Sequence, residues 1–203
     1  RGGITVPSVC VDYIATHPPH TDHGYDEINN LFELLQQGCS QVGIAIVEVP
    51  LIGAASIKNS PDQTVYIDRL EKLFSVFLSN GIKIALETDL GPLDVKRVLN
   101  SFSHEDIKVN YDIGNSVFWG FDIHKEFAAY GHSILNVHLK DCTPEDYTVE
   151  FGTGLSKFNE MFKLLDAVNY DGDLILQGAR YGNEIECVKS QIRFIKSEID
   201  SCT

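Results

Sequence analysis

The sequence predicts an α/β protein in which a parallel sheet is covered by helices. Apolar, β-branched runs alternate along the chain with segments of helical periodicity, and this pair occurs six times. The apolar runs are continuous, which indicates strands that are buried on both faces. The 203 residues suffice for one sizeable core or for an α/β barrel, whose lower size limit is ~200 residues.

The predicted elements follow one another as β-α units. The strands are predicted at 4–11, 43–49, 82–87, 107–113, 134–140 and 174–177. The helices are predicted at 26–41, 66–81, 92–102, 122–131, 156–168 and 184–199. In the first helix Ile28, Phe32 and Leu35 share one face, and Gly81 is the expected C-cap of the second.

Two architectures fit this order, a doubly wound open sheet and a barrel. A doubly wound dinucleotide-binding sheet needs a glycine-rich loop after its first strand, whereas the glycine pair at 151–154 precedes a helix instead. Six units are too few for a complete eight-unit barrel, whose open edges would expose unpaired backbone groups. The missing units could precede Arg1, or a partner could cover the gap.

Composition excludes several functional classes. The net charge of −13 disfavours nucleic acid, since phosphates need a basic surface. No apolar run reaches 18 residues, so neither a transmembrane helix nor a membrane partner is expected. The five cysteines are scattered without a C-x-x-C motif, which favours reduced thiols in the cytoplasm.

Four successive predicted strands carry a side chain with metal-ligand chemistry near their carboxyl ends. These are Glu87, Asp112, His138 and Gln177. Each alone has an ordinary explanation, such as a helix cap or a hydrogen-bonded core histidine. In parallel α/β folds the strand ends meet at one edge, so the four together predict a site for manganese, cobalt, magnesium or zinc.

Several segments resemble the sugar phosphate isomerase/epimerase family of xylose-isomerase-like barrels. The resemblance is strong over residues 82–182, and its most specific part is NYDIGNS at 110–116 followed by VHLKD at 137–141. It implies a (β/α)8 TIM barrel, with residues 1–203 forming one domain that holds the last six of eight units. It also implies one divalent metal whose ligand positions fall on the four residues named above.

The family chemistry implied by the resemblance is proton abstraction next to a ketose carbonyl, through an enediolate. Glu87 is the first candidate for the proton-moving carboxylate as well as a ligand. Gln177 stands at the other catalytic position, where many members have glutamate. Its carbonyl can coordinate a metal, but an amide cannot act as a base. The second proton carrier is left open among His17, Glu184, Asp141 and a water on the metal.

The expected substrate is a ketose or ketose phosphate, and five residues are candidates for binding it: His17, Asn115, Ser116, Lys140 and Arg180. Arg180 suits a phosphate or carboxylate, although a surface ion pair with Glu184 is an alternative. The amides of 152–154 could add hydrogen bonds. The histidines of the loop at 16–24 are expected to make loop and substrate contacts in preference to binding a second metal.

Three alternatives accompany this interpretation. A metal-dependent nuclease similar to the apurinic endonucleases is disfavoured by Asn115, where those enzymes have histidine, and by the acidic charge. A non-catalytic barrel that binds a sugar or a protein partner stays open because of Gln177. The sequence does not separate isomerase from epimerase, and a homo-oligomer is possible.

Overall fold

The computed structural model describes residues 3–202 and has six strands and seven α-helices within that range. The strands are β1 Ser8–Cys10, β2 Ile46–Leu51, β3 Lys83–Thr88, β4 Ile107–Asp112, β5 Ile134–Leu139 and β6 Leu174–Leu176. The helices are α1 Asp22–Val42, α2 Gln63–Leu78, α3 Pro92–Leu99, α4 Ile113–Phe118, α5 Ile123–Tyr130, α6 Phe158–Ala167 and α7 Glu184–Asp200. None of the helices in residues 3–202 is long and apolar enough to cross a membrane.

The strands lie in the sheet in chain order, from β1 to β6. The pairs β1–β2, β2–β3, β3–β4 and β5–β6 are parallel. This sequential parallel order confirms the predicted α/β class with six β-α units. It also decides against a doubly wound sheet, in which the strand order reverses.

The predicted elements are all present, with differences at their ends. β1 is shorter than the predicted strand 4–11, and α2 ends at Leu78, three residues before Gly81. The sequence analysis missed α4, which follows β4 without a loop. Asp112 forms this junction, because its carboxylate Oδ1 accepts a hydrogen bond from the Asn115 amide at 2.9 Å and caps the helix.

The chain divides into two compact units. The first comprises residues up to Leu90 together with Asp94–Val109, and the second comprises Gly91–Leu93 together with the residues from Asn110 onwards. Each unit is described separately below. One domain over residues 1–203 stays a prediction.

In the first unit, α1 and α2 bury their apolar faces through aromatic side chains. Phe32, Phe74 and Phe77 are fully buried, and the rings of Phe32 and Phe77 meet edge to face with centroids 4.9 Å apart. Phe74 and Phe77 are three residues apart and therefore lie on one face of α2, which packs against Phe32 of α1. Burying each such ring stabilises the fold by about 1.5–3 kcal/mol.

In the second unit, α6 and α7 pack through a second aromatic cluster. The rings of Phe158 and Phe194 lie 5.5 Å apart, and Phe151 contacts both. Gly152 has a φ of 85°, and a Cβ there would lie 2.6 Å from the Phe194 ring. This position therefore requires glycine for both conformation and space.

Candidate active site

The first unit contains a pair of buried carboxylates on neighbouring strands. Glu48 on β2 pairs in register with Ala85 on β3, and Glu87 follows two residues later on β3. Because side chains alternate along a strand, the three residues share one face. Glu48 and Glu87 are 3% and 7% exposed, and each offers a carboxylate oxygen within 4.8 Å of the other's.

This acidic pair has the chemistry of a divalent-metal site. Two buried carboxylates at such a distance repel each other unless a cation or a shared proton compensates them. Their oxygens are ligands suited to manganese, magnesium and zinc. The sequence analysis missed Glu48, although a glutamate inside the apolar strand IVEVPL is a signal, because a buried charge is costly without a function or a partner.

The second unit has a row of buried polar side chains on β4 and β5. Asn110 and Asp112 occupy alternate positions on β4, and Asn136, His138 and Lys140 do so at the end of β5. All five are at most 5% exposed. The Nδ2 group of Asn136 donates to Oδ1 of Asn110 at 2.8 Å, so the row is hydrogen-bonded across the two strands.

Lys140 is the charged centre of this row. Its Nζ lies 3.0 Å from Oδ2 of Asp112 and donates to Oδ1 of Asn115. It also lies 3.8 Å from the centre of the Tyr147 ring, in a cation–π contact. Burial disfavours the ammonium form, but Asp112 and Tyr147 outweigh it and raise the pKa of Lys140 above its usual value. Lys140 therefore stays charged.

Asp112 keeps one oxygen with capacity for a further ligand. Its Oδ1 is used by the Asn115 amide. Its Oδ2 is buried at ion-pair distance from Lys140, yet among the described residues no hydrogen bond of good geometry reaches it. An oxygen in this state can accept a metal ion, so the local chemistry fits the ligand role that the sequence predicted for Asp112.

Two predicted substrate-binding residues are engaged inside the protein. The Oδ1 atom of Asn115 accepts from Lys140 and from the Tyr147 hydroxyl. The Ser116 hydroxyl donates to the buried carboxylate of Glu126. Substrate contacts through these side chains would have to use their remaining polar atoms.

The loop at 151–156, before α6, is held by hydrogen bonds from its backbone amides to the Asp141 side chain. The carboxylate of Asp141 accepts from the amides of Gly152 at 2.8 Å and from those of Cys142, Gly154 and Ser156 at 3.0 Å each. A Cβ at Gly154 would lie 2.2 Å from the carboxylate. These glycine amides are therefore committed to Asp141 and are not free for phosphate, and four amide donors give Asp141 a structural role.

Gln177 extends the pairing of β6 with β5. Its backbone amide donates to the Leu139 carbonyl at 2.9 Å. His138 pairs in register with Ile175, so alternation places Gln177 on the same strand face as His138. The Gln177 residue is exposed, as is Arg180.

The segment after Gln177 is held by α7. The Nε2 group of Gln191 and the thiol of Cys187 both donate to the Ala179 carbonyl, at 2.9 and 3.1 Å. A Cβ at Gly178 would lie 2.4 Å from Gln191 Nε2. The backbone between the predicted ligand Gln177 and the predicted anion contact Arg180 is therefore fixed by two side chains of α7.

The histidine loop of the first unit is ordered by stacking and by Arg69. The His17 ring stacks on Tyr13 with centroids 3.9 Å apart. Arg69 donates to the carbonyls of Pro19 and His20 at 3.3 and 3.2 Å. Within residues 3–202, the loop histidines belong to no group of three metal-ligating side chains, and their contacts with a substrate stay a prediction.

The comparison with family models decides the family. A model of the xylose isomerase-like TIM barrel matches residues 1–198. The chain belongs to this family. The resemblance found in the sequence is confirmed, and with it the fold class.

Curated relatives from this family are enzymes named for sugar and cyclitol chemistry. A putative L-ribulose-5-phosphate 3-epimerase, SgbU, from Haemophilus influenzae is 24% identical over 87% of this chain and 67% of its own length. An inosose dehydratase from Geobacillus thermodenitrificans is 24% identical over 78% of this chain and 60% of its own length. The chain thus spans about two thirds or less of the length of these relatives.

Solved structures of the same fold include proteins with bound metal. The structure of L-ribulose 3-epimerase has a TM-score of 0.82 at 14% identity and covers 98% of this chain and 76% of that one. The IOLI protein with a zinc atom has a TM-score of 0.78 at 17% identity, over 98% and 77%. A xylose isomerase-like TIM barrel from Mycobacterium smegmatis, in complex with magnesium, has a TM-score of 0.75 at 14% identity, over 99% and 75%.

Proposed function

We propose that this chain carries the active site of a metal-dependent enzyme that moves a proton next to the carbonyl of a ketose or ketose phosphate. The buried acidic pair of Glu48 and Glu87 carries the proposal, because it combines metal-ligand and acid–base chemistry in one place. The relatives named above support the substrate class, since an L-ribulose-5-phosphate epimerase acts on a ketose phosphate.

The proposed ion is divalent, and Glu48 and Glu87 supply two carboxylates for it. His138, predicted from the sequence as a ligand, stays proposed as a nitrogen donor. The free capacity of the Asp112 Oδ2 atom and the carbonyl of Gln177 would complete the ligand set. Such an ion acts as a Lewis acid that stabilises the negative charge of an enediolate.

Proton transfer is assigned to the two glutamates. Glu87 takes the proton from the carbon beside the carbonyl, as a carboxylate positioned for general base catalysis. Gln177 cannot return it, because an amide neither takes up nor releases a proton near neutral pH. Asp141 is committed to four amides. Glu48 is therefore the proposed second carrier.

The placement of the two carriers favours isomerisation over epimerisation. Epimerisation removes and returns the proton on opposite faces of the substrate. Glu48 and Glu87 lie on adjacent strands with carboxylate oxygens within 4.8 Å, so both reach the same face. In D2O the proposed enzyme should convert a ketose to an aldose without inverting the hydroxyl-bearing carbon next to the carbonyl. NMR detection of a ketose inverted at that carbon as the main product would contradict this assignment.

Metal content tests the proposal as a whole. Elemental analysis of the purified protein should find about one divalent ion per chain, as for a single Lewis-acid site. Glu87→Gln should lose the ion and lower turnover of a suitable ketose or ketose phosphate by about 10²–10⁴-fold. Glu33→Gln is the matched control, since Glu33 is exposed on α1. This variant should keep the bound ion and the turnover of the unaltered chain.

The same measurement separates the enzyme from the non-catalytic alternative. A folded chain that takes up no manganese, cobalt, magnesium or zinc would indicate a barrel that binds a sugar or a partner without catalysis. Full turnover by Glu87→Gln would exclude Glu87 as the proton carrier. A reducing compartment such as the cytoplasm is part of the proposal and is supported by five free thiols. A homo-oligomer stays a prediction.

A further inference from the structure

A cavity of about 260 Å³ lies in the second unit between α4, α5 and the segment before α6. The cavity lies on the other side of β4 from the side chain of Asp112, a proposed metal ligand. Tyr111 lines the cavity, and it stands between Asn110 and Asp112, whose side chains point to the opposite face of the strand. The cavity is therefore separate from the proposed sugar site, although both involve the end of β4.

The deep polar groups of the cavity are hydrogen-bond acceptors. The hydroxyls of Tyr111 and Ser116 both donate to Oε2 of Glu126, Tyr111 at 3.3 Å. Tyr130 donates to the other oxygen of Glu126 at 2.8 Å, so this buried carboxylate holds the hydroxyl protons in place. The oxygens of Tyr111 and Ser116 then have only lone pairs left to offer a ligand.

The charged groups at the mouth of the cavity are also engaged. Nε2 of His124 and Nζ of Lys157 lie 2.5 and 3.1 Å from the carboxylate of Glu160. One oxygen of Asp122 accepts from the Lys125 amide at 3.1 Å and leaves the other as an acceptor. A ligand that donates a hydrogen bond therefore finds partners, whereas a carboxylate or phosphate finds none that is uncommitted.

The remaining lining is apolar and is large enough for a six-membered ring. Val117, Phe121, Ile123 and Leu155 contribute to it. An apolar cavity of about 150 Å³ is enough to bind benzene, so the volume here accommodates a ring with a substituent. An amine would lie beside the ammonium of Lys157, and burying its charge among apolar side chains costs more than burying a neutral ring, which disfavours it.

We propose that this cavity binds a neutral ring-sized alcohol or phenol, with the ring among the apolar side chains and the hydroxyl donating to Ser116, Tyr111 or Asp122. The site is a second ligand site and does not depend on the metal. Asp112, a proposed metal ligand, caps α4, and α4 also lines the cavity. A molecule bound in the cavity therefore contacts the helix that Asp112 caps.

The test compares three ligands with the same ring. Cyclohexanol, cyclohexylammonium and cyclohexanecarboxylate are titrated into the full chain, and binding is followed by NMR shifts of the α4 and α5 amides. Cyclohexanol should bind saturably and at least about tenfold more tightly than the other two, as expected when a lost hydrogen bond or an unpaired charge costs about 1.4 kcal/mol or more. Tightest binding by the carboxylate or the amine, or no binding by any of the three, would overturn the proposal.

Substitutions that place a larger side chain in the cavity test whether cyclohexanol binds there. Val117→Phe should weaken cyclohexanol binding at least about tenfold, whereas Val188→Phe, on the exposed face of α7 at 47% exposure, should leave it unchanged. Leu155→Trp fills the same cavity from a residue that is 57% exposed, so it serves if Val117→Phe does not fold. Glu87→Gln should bind cyclohexanol like the unaltered chain. Unchanged binding in both filling variants would show that the alcohol binds elsewhere.

Discussion

The two units place carboxylates of the same predicted role in opposite electrostatic surroundings. In the first unit, Glu87 has another buried carboxylate, Glu48, as its neighbour on the next strand. In the second unit, Asp112 lies 3.0 Å from the buried ammonium of Lys140. A cation bound by Glu48 and Glu87 therefore relieves their mutual repulsion, whereas a cation at Asp112 competes with the ammonium of Lys140.

This difference predicts which of the proposed carboxylate ligands attracts a divalent ion more strongly. Glu48 and Glu87 are expected to supply most of the attraction for the ion, because two buried carboxylates lie close together on neighbouring strands. Asp112 is oriented by Lys140 and Asn115, so its contribution is mainly geometric. Variants that change one charge in each unit test this distinction.

The largest effect is expected from Lys140→Met. Methionine keeps most of the apolar stem but leaves the Asp112 carboxylate buried without its cation. Breaking a buried pair in this way costs about 3–5 kcal/mol of unfolding free energy. The measurement is denaturant unfolding at neutral pH in the presence of a chelator.

A second substitution serves as the control for Lys140→Met. In the double variant with Asp112→Asn no unpaired charge remains, so most of the lost stability should return. If Lys140→Met is as stable as the unaltered chain, the ammonium of Lys140 is not what compensates the buried charge of Asp112. Adding the metal should reduce the loss in Lys140→Met, since the ion can replace the missing positive charge.

A smaller effect on stability, but a clear one on metal binding, is expected from Glu48→Gln. In chelator its unfolding free energy should stay within about 1 kcal/mol of the unaltered chain, because relieved repulsion offsets lost carboxylate hydrogen bonds. Its affinity for manganese or zinc should fall about 10–100-fold. Isothermal titration with each ion measures this, and an affinity equal to that of Glu33→Gln would remove Glu48 from the site.

The fold was predictable because it depends on long-range features of the sequence pattern. Continuous apolar runs and helical periods gave six strands and six of the seven helices of residues 3–202. The short helix α4 was not predicted, since it has no amphipathic period and is set by the Asp112 cap. The C-terminal end of α2 was predicted three residues too late. Gly81, with its positive φ, belongs to the turn that follows the helix and does not end the helix itself.

The site was less predictable than the fold because contacts between distant residues define it. Strand ends identified Glu87, Asp112 and His138 as candidate metal ligands. The structure buries all three, and their ligand role stays a prediction. Glu48 lies inside its strand, so a search of strand ends passes over it. The engagement of Ser116 with Glu126, and of the glycine amides with Asp141, depends on tertiary packing that no local pattern reports.

The smallest effect concerns Glu126, a buried carboxylate of the second unit that accepts hydrogen bonds from the hydroxyls of Tyr111, Ser116 and Tyr130. Burial raises the pKa of Glu126 above its usual value of 4.5, although the hydroxyls of Ser116, Tyr130 and Tyr111 oppose the shift. The folded chain then holds this proton at pH values where the unfolded chain has released it. The stability contributed by the group is complete below its usual pKa and is lost as the pH rises through the raised pKa.

Glu126→Gln removes this titration while keeping an oxygen that accepts from the hydroxyls. The unfolding free energy of the variant should therefore fall less than that of the unaltered chain as the pH rises from about 4.5 towards neutrality. Urea unfolding across that range measures the slope, with Glu33→Gln as the exposed control. An unchanged slope in Glu126→Gln would mean that the three hydroxyls compensate the buried charge, so that the second unit neutralises this carboxylate as completely as Lys140 neutralises Asp112.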